Sequence, residues 1–297
     1  MLNPSITTFL KTAEEGSFSK AAERLYLSKV SVMNQINALE AKIGAPLFVR
    51  SNQGVTLTEA GKSFYRNVKK ILRLSEAALR EAREIAAART PTIRVGASIM
   101  RPCQPLVDLY TRLCHERESD GGEFRFSVVP FGDGPDSLRR MLDALGDTID
   151  CFMTPCGSTQ MLAEYGFLPL SVCRCEIAMS RSHRLANKKI LRWEDLENEN
   201  LLLVKRGGSY VLDELRDDIL RAHPSVHIVD FDGYYDISAF NLCEERGFLM
   251  ETLDIWESLH PSLVTVPVDW KYEIPYGVIY AQNAGAETRA FIKELEH

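Results

Sequence analysis

The residues best suited to direct chemistry lie in one short stretch, residues 28 to 37. Here Lys29, Val30, Met33, Asn34 and Asn37 recur at helical spacing, so they share one face of a helix. Asn34 can pair with the edge of adenine, and Met33 or Val30 can contact the methyl group of thymine. These residue types in this pattern predict a helix that lies in a major groove of DNA.

Two helices joined by a turn would position this face. Ser17 is placed to cap the first helix and Ser28 the second, and Gly44 follows at a helix end that favours a left-handed residue. Behind the polar face runs a predicted buried stripe at spacings of four, three and four: Val32, Ile36, Leu39 and Ile43. Periodicity alone leaves an ordinary helical hairpin as the alternative.

The next residues predict a small β-wing. Pro46-Leu47-Phe48 anchors a strand, Arg50 to Gly54 makes a polar turn, and Val55 and Leu57 return. We assign Arg50 and Lys29 to backbone phosphates. The full set of candidate DNA-binding residues is Ser17, Ser28, Lys29, Val30, Met33, Asn34, Asn37, Arg50 and Gln53.

Several motifs in this stretch occur together at fixed spacing. They are Phe9, Gly16-Ser17-Phe18, Ala21-Ala22-x-x-Leu25, Gln35-Ile36-x-x-Leu39-Glu40, Gly44-x-Pro46-Leu47-Phe48-x-Arg50 and Leu57-Thr58-x-Ala60-Gly61. The set resembles the DNA-binding domain of LysR-type transcriptional regulators. The second helix departs from the family pattern, which has Gln-Pro at its start and later Ser-Arg. This chain has Lys29-Val30 and Met33-Asn34 there, so a strong phosphate or guanine contact from arginine is missing.

Charge divides the chain in the way that such a DNA-binding head requires. Residues 1–90 contain 14 Lys or Arg and 8 Asp or Glu, whereas the remaining residues contain 21 and 33. A basic head joined to an acidic body is expected where only the head meets phosphate.

A long helix is predicted after the wing. From Phe64 to Ile85, apolar or small residues recur at spacings of four and three, which is typical of a helix that pairs with another helix. The partner would be a second copy of the protein, and packing on the chain's own effector region is the alternative. We expect these domains: 1–61 winged helix-turn-helix, 62–88 linker (dimerisation) helix, and 92–297 effector-binding domain.

Beyond a short hinge at residues 87–91, predicted strands and helices alternate, which indicates α/β construction around a parallel sheet. Strands are expected at 92–97, 124–129, 149–153, 176–180, 201–204, 226–231 and 276–281, and a short helix near 194–198. The resemblance implies two Rossmann-like lobes built like a type 2 periplasmic binding protein. Lobe I would span about 92–162 and 267–297, and lobe II about 163–266.

Ligands of open α/β sheets bind beyond the carboxyl ends of strands, at helix N-termini that favour anions. The resemblance places the effector in the same cleft. Arg101 and Lys205 are placed to pair with a carboxylate, although each is nearly as well explained as a solvated surface residue. Asp232, Tyr234 and Tyr235 are expected at the mouth. The candidate effector contacts are Ser98, Ile99, Met100, Arg101, Phe131, Thr154, Lys205, Gly208, Ser209 and Tyr234.

The sequence gives little support for a metal site, a catalytic site, a disulfide framework or a membrane span. The six His residues lack metal-ligand spacing, and no phosphate-binding or nucleophile motif is present, so we expect no cofactor, no metal and no enzymatic activity. The odd number of cysteines, 7, argues against a disulfide framework, and buried thiols are favoured over a redox-sensing pair. No apolar run has the roughly 18–20 residues of a membrane span, and no signal peptide is apparent, so a cytoplasmic location is expected.

The sequence therefore predicts a LysR-type regulator. It would bind double-stranded promoter DNA as a homo-oligomer, with a tetramer expected and a dimer as the alternative. It would respond to a small molecule, an anionic or aromatic carboxylate. RNA polymerase is a further candidate partner. Two alternatives stay open at this point: an α/β solute-binding or enzymatic protein whose helical head only dimerises, and an architectural DNA binder without an effector.

Overall fold

The computed structural model describes residues 3–51, 54–87, 90–116, 124–232 and 234–296, without the side chains of residues 73, 76, 77 and 80–87. The chain divides into two compact units, Met1–Arg83 and Glu84–His297. Across the described ranges, no helix combines the length and the apolar character that a membrane span needs.

The first unit is helical apart from one hairpin. Its elements are α1 Pro4–Glu15, α2 Phe18–Leu25, α3 Lys29–Ile43, β1 Phe48–Ser51, β2 Gly54–Leu57 and the long helix α4 Glu59–Ala87. Both predicted serine caps are present, since Ser17 Oγ accepts from the Lys20 amide at 3.4 Å and Ser28 Oγ from the Ser31 amide at 3.1 Å. The predicted helix-turn-helix and wing are confirmed.

The buried stripe of α3 is shorter than predicted. Val32 and Ile36 are fully buried and Leu39 nearly so, but Ile43 is 38% exposed. Ile43 is the last residue of α3, and Gly44 (φ +77°) turns the chain away toward β1 directly after it. The prediction for Ile43 was wrong because the helical spacing continues beyond the end of the surface that α3 packs against.

One aromatic side chain packs against several elements of the first unit. The Phe9 ring on α1 lies 5.3 Å from that of Phe48 on β1 and 5.1 Å from that of Phe64 on α4. The wing is also tied to the α1–α2 turn, because the Val55 amide donates to the Gly16 carbonyl at 2.9 Å. These contacts hold α1, α4 and the wing together.

Helix α4 buries one part of its apolar surface within the first unit and exposes another part to solvent. Val68 is buried in the core of the first unit, with Phe64 and Leu72 packed against that core. Ile71 and Leu74 are more than half exposed, and Leu79 is 38% exposed. The predicted pairing stripe beyond residue 79 lies outside the described side chains.

The second unit alternates strands and helices. Its elements are β3 Thr92–Ala97, α5 Gln104–Glu116, β4 Arg125–Pro130, α6 Ser137–Ala144, β5 Cys151–Pro155, α7 Thr159–Glu164, β6 Tyr165–Ser180, β7 Asn200–Val204, α8 Tyr210–Ala222, β8 His227–Phe231, α9 Ile237–Arg246, β9 Leu249–Leu253, β10 Leu263–Val266, β11 Glu273–Ala281 and α10 Ala286–Leu295. Trp193–Leu196 and Asp254–Trp256 are short 3-10 helices.

The strands form one curled sheet in the order β4-β3-β5-β11-β6-β9-β7-β8, with β10 paired to β6. Each lobe is parallel, since β4, β3 and β5 run together, as do β9, β7 and β8. The long strands β11 and β6 pair antiparallel with each other and join the two parallel sets. The predicted architecture of two α/β lobes with parallel strands is confirmed, and the antiparallel pair β6 and β11 is an addition that the sequence analysis did not foresee.

Of the two strands that join the lobes, the sequence patterns predicted most of β11 but only the end of β6. Only the last five residues of β6 were predicted as strand, because its first half is partly exposed and contains Pro169, Ser171 and Arg174. Strands β9 and β10 were also missed, and the predicted helix near 194–198 is a 3-10 turn over Trp193–Leu196.

Gly61 marks a close approach between α4 and β1. A Cβ atom there would lie 2.1 Å from the Leu47 carbonyl oxygen, a backbone atom that cannot rotate away. Although Ala favours helix over Gly by about 1 kcal/mol, we expect the clash to dominate. Gly61→Ala should lower the free energy of unfolding of the first unit by roughly 1–3 kcal/mol.

Thermal denaturation followed by circular dichroism measures this change. The matched control is Ser63→Ala, at an exposed position in the same helix, which should stay within about 0.5 kcal/mol of the parent chain. Equal stability of the two variants would contradict the close packing at Gly61.

Candidate functional site

The predicted base-contacting residues lie on the solvent side of α3. Lys29, Val30, Asn34 and Asn37 are exposed, and Met33 is half-buried. Val30 is 66% exposed, a large fraction for an aliphatic residue on a helix that buries its opposite side. The α3 face is therefore polar with an apolar edge, which fits base edges and thymine methyl groups.

Two of the candidate DNA-binding residues stand at helix N-termini. The hydroxyl oxygens of Ser17 and Ser28 accept the capping hydrogen bonds of α2 and α3. A serine that accepts in this way still has its O–H proton to donate, and the DNA contact expected of each stays a prediction. Gln53 lies outside the described residues.

Arg50 is held by its own unit. Its Nη2 donates to Asn37 Oδ1 at 2.7 Å and to Glu40 Oε2 at 2.9 Å, and its guanidinium carbon lies 5.3 Å from the centre of the Phe18 ring. The phosphate contact assigned to Arg50 stays a prediction. In the structure, Arg50 connects the wing to α3.

The second unit contains a partly open cavity of about 60 Å³ near the carboxyl ends of β3 and β5 and the N-terminus of α8. One water molecule needs roughly 10–15 Å³ of such space, so the cavity can hold a small metabolite or several waters. Five of the ten candidate effector contacts line it: Arg101, Thr154, Gly208, Ser209 and Tyr234.

The other candidates lie elsewhere. Ser98 and Ile99 belong to the loop that carries Arg101, and Ile99 is 76% exposed. Met100 is buried, and its carbonyl accepts from Trp256 Nε1 at 2.9 Å. Phe131 packs in the core of the first lobe. Lys205 is exposed and pairs with Asp232 at 3.0 Å, so it does not join Arg101.

The loop from residue 98 to 101 is fixed by hydrogen bonds. The Asp133 carboxylate accepts from the Ile99 amide at 2.9 Å and the Met100 amide at 3.1 Å. Ser98 Oγ accepts from the Arg101 amide at 3.1 Å. These bonds use the polar groups of Ser98 and Asp133 to position Arg101.

Arg101 itself is short of partners. Its side chain is almost fully buried, and among the described residues no group accepts from its Nε or Nη1. Burial lowers the pKa of Arg101 to about 10, while Asp133, Asp236 and Tyr276 act to raise it. The guanidinium stays charged at neutral pH, with two donors unused beside a cavity.

Part of the cavity wall is built at two helix N-termini. Ser158 Oγ caps α7 and Ser209 Oγ caps α8, and both residues are buried. The Tyr210 amide donates to the Gly157 carbonyl at 2.8 Å, which bridges the two lobes. A Cβ at Gly157 would come within 2.3 Å of Ser209 Oγ, so the lobes touch at this point.

A buried acid supports one cavity residue from behind. Tyr235, predicted at the mouth, lines the interior, and its hydroxyl donates to Glu251 Oε2. Glu251 is fully buried, and burial raises its pKa to about 8 despite the hydrogen bonds from Tyr235 and Cys175. Glu251 is therefore mostly a neutral carboxylic acid at pH 7.

Sequence reasoning missed most of the apolar lining. Those residues are Leu138, Met161, Val204, Leu212, Leu253, Trp256 and Ile274. They come from seven different elements, and the local sequence pattern around each is that of a core residue. Only Ser158 carried a usable signal, because a serine directly before a helix predicts a cap.

The cysteines mostly fill the core. All seven are described and none is in a disulfide, and five of them are buried. Burial raises the pKa of Cys173 and of Cys243 to about 12 and raises that of Cys175 further. These thiols carry no thiolate at neutral pH, which disfavours the redox-sensing pair among them.

Comparison with known proteins supports the geometry of both units. Residues 5–62 match the family model described as bacterial regulatory helix-turn-helix protein, lysR family. The regulator BudR of Klebsiella aerogenes is 44% identical over 88 residues, which is 30% of this chain and 62% of BudR. BudR of Raoultella terrigena is 28% identical over 193 residues, 64% of this chain and 63% of that protein.

Solved structures match over nearly the whole length. The LysR family regulator CbnR has a TM-score of 0.71 at 20% identity, covering 100% of this chain and 98% of CbnR. CbnR in complex with its target DNA has a TM-score of 0.69 at 21% identity, covering 99% and 98%. At this level of identity, the match to CbnR shows the fold of this chain and nothing more. The chain spans about three-fifths of the length of the two BudR proteins. Residues 5–62 belong to the lysR family of bacterial regulatory helix-turn-helix proteins, and the chain shares the fold of the LysR family regulator CbnR.

Proposed function

We propose that the protein is a transcriptional regulator that binds promoter DNA as a homo-oligomer and responds to a small anionic molecule. The observation that carries DNA binding is the exposed α3 face within residues 5–62, the part that matches the lysR family model. The basic balance of residues 1–90 adds an attraction for phosphate. CbnR, which shares the fold, has been crystallised with its target DNA.

Self-association rests on α4. Its exposed Ile71, Leu74 and Leu79 lie on a helix of 29 residues, and burying them against a second copy would remove apolar surface from water. We propose 1–61 as the DNA-binding domain, 62–88 as the dimerisation helix and 92–297 as the effector-binding domain. We propose that the homo-oligomer is a tetramer. We propose RNA polymerase as a separate, further partner.

DNA binding separates this proposal from the rival in which the head only dimerises. The logarithm of the binding constant should fall with the logarithm of salt concentration, because phosphate contacts release counterions. Lys29→Met should make that slope shallower by about one unit. Fluorescence anisotropy with labelled duplexes at several salt concentrations measures it.

The control for this titration is Lys189→Met, which removes an exposed lysine from the acidic second unit. Its slope should equal that of the parent chain. Absence of any salt-dependent DNA binding by the parent chain would remove the regulator proposal and favour a solute-binding or enzymatic protein.

The charge balance of the cavity supports an anionic effector. Arg101 brings a positive charge and two unused donors. The Asp133 and Asp236 carboxylates already accept backbone amides, of Ile99 and Met100 and of Ser238 respectively. Glu251 is neutral at pH 7 because burial raises its pKa. A carboxylate would complete the hydrogen bonds of Arg101, and the surrounding apolar wall favours an aromatic or aliphatic body.

Removing Arg101 should change the stability of the ligand-free protein and its stabilisation by ligand in opposite directions. Arg101→Met keeps the length of the side chain but removes a buried cation that lacks partners, so the ligand-free protein should gain roughly 1–4 kcal/mol of stability. Stabilisation by carboxylates should disappear in the same variant. A saturating ligand at about 100 times its Kd adds about 2.7 kcal/mol to the parent chain.

The measurement is a thermal-shift screen of small aliphatic and aromatic carboxylates on both chains. Lys205→Met serves as the control, because Lys205 lies outside the cavity and should leave the ligand response intact. A carboxylate that stabilises the Arg101→Met chain as strongly as the parent would place the effector elsewhere. No response to any carboxylate would favour an architectural DNA binder.

Glu251 makes the stability of the second unit depend on pH. The pKa of Glu251 is about 8 in the folded chain against a reference value of 4.5, so the folded state holds a proton that the unfolded state releases. This contribution is complete below about pH 4.5 and is lost as pH rises toward 8, by about 1.4 kcal/mol per pH unit at most.

Glu251→Gln should flatten this dependence, because an amide can accept from Tyr235 without titrating. We expect similar melting temperatures for the two chains at pH 5 and a higher one for Glu251→Gln at pH 8. Calorimetry across that range tests it, with the exposed Glu257→Gln as control. Parallel pH profiles for the parent and Glu251→Gln would refute the neutral buried acid.

A further inference from the structure

The two asparagines on the exposed face of α3 are in different hydrogen-bonding states. Asn37 Oδ1 accepts from Arg50 Nη2 at 2.7 Å. The side chain of Asn34, three residues earlier on the same face, makes no hydrogen bond to any other described residue. One amide is therefore fixed, and the other is free to turn.

The orientation of the Asn37 amide follows from chemistry alone. A guanidinium carries five N–H donors and no acceptor, so the atom of Asn37 that faces Arg50 must be the carbonyl oxygen. An asparagine built the other way round would set two donors against each other. The Asn37 Nδ2 group, with its two protons, is directed away from Arg50.

Arg50 is a firm anchor for this orientation. The same Nη2 donates to Glu40 Oε2 at 2.9 Å, and Glu40 Oε1 accepts from the backbone amides of Leu47 at 2.7 Å and Phe48 at 3.1 Å. The guanidinium also lies over the Phe18 ring. Because the wing, α2 and α3 all contact Arg50 or Glu40, turning the Asn37 amide would require breaking a charge-assisted bond.

We propose that Asn37 is a donor-only reading residue that selects guanine, and that Arg50 is the residue that positions it. Guanine offers two adjacent acceptors, N7 and O6, in the major groove, whereas adenine offers one acceptor and one donor. An asparagine with its oxygen occupied matches the first pattern and not the second. Asn34, with both ends free, keeps the bidentate pairing with adenine. This inference rests on the proposed DNA-binding function and names the base class that each residue reads.

The test begins with selection of binding sites from random duplex DNA by the full-length chain, followed by affinity measurements on the selected site and its single-base-pair variants. The parent chain should prefer guanine at one position by about 10-fold or more. Asn37→Asp presents only acceptors, so it should lose that preference and favour cytosine, whose N4 donates, at the same position. Its melting temperature should be unchanged or higher, because an aspartate pairs with Arg50.

The matched control is Asn34→Asp, which makes the same charge change three residues away on the same face without touching Arg50. It should alter the preference at a different position. Asn37→Ala removes both donors without adding charge, and should flatten the preference for guanine while leaving other positions intact. This second variant keeps the test decisive if Asn37→Asp weakens DNA binding through charge repulsion.

Two results would overturn the proposal. An unchanged base preference in Asn37→Ala would show that Asn37 does not read that position. A uniform loss of affinity on selected and random DNA would assign Asn37 to phosphate instead. Failure of the parent chain to bind any DNA is a different result, since it removes the proposed function itself and this inference with it.

Discussion

Burying a charged side chain costs free energy unless hydrogen-bond partners compensate the lost water. The two units meet this constraint in opposite ways. In the first, the Glu40 carboxylate accepts from two backbone amides and from Arg50, and Arg50 in turn satisfies Asn37. In the second, Arg101 is buried with two donors that no described residue accepts from. A complete network makes a rigid reading surface, whereas an incomplete one leaves affinity for something that the chain does not supply.

The incomplete network is also the one that joins the two lobes. Arg101 sits in a loop whose Met100 carbonyl accepts from Trp256, a residue of the second lobe, and Gly157 accepts from Tyr210 across the same gap. A molecule bound to Arg101 would therefore act on contacts that already connect both lobes. Any change in their packing that favours the bound form must, by linkage, change affinity for that molecule in return. The cavity is thus placed where occupancy and lobe arrangement are energetically coupled.

A structural element or site residue could be predicted from the sequence when the interactions that determine it lie within a few residues of each other. The caps Ser17 and Ser28 and the spacing of Val32 and Ile36 act within a few residues, so α2 and α3 were predicted closely. Most of strand β6, together with strands β9 and β10, escaped because their identity depends on partners far along the chain. The apolar lining of the cavity escaped for the same reason, since Leu253 and Trp256 have the sequence pattern of core residues until β9 is placed beside β6. The bond between Asn37 and Arg50 spans only thirteen residues, but helical and strand patterns describe backbones and cannot predict a contact between two polar side chains.

The restraint on Asn37 also explains why a departure from the family pattern need not weaken DNA recognition. The missing arginine near the start of α3 takes away a flexible, always-charged donor that binds phosphate and guanine alike. Asn37 supplies donors of a different kind: neutral, held on a short side chain, and fixed by Arg50 through a contact that keeps its oxygen out of the groove. A neutral donor gains little from phosphate, so its contribution to binding depends on the base it faces. A fixed donor also loses less conformational entropy when it binds than a free arginine side chain does. A pre-organised neutral asparagine in place of a charged arginine therefore lowers the affinity of α3 for DNA of any sequence and raises its discrimination between bases.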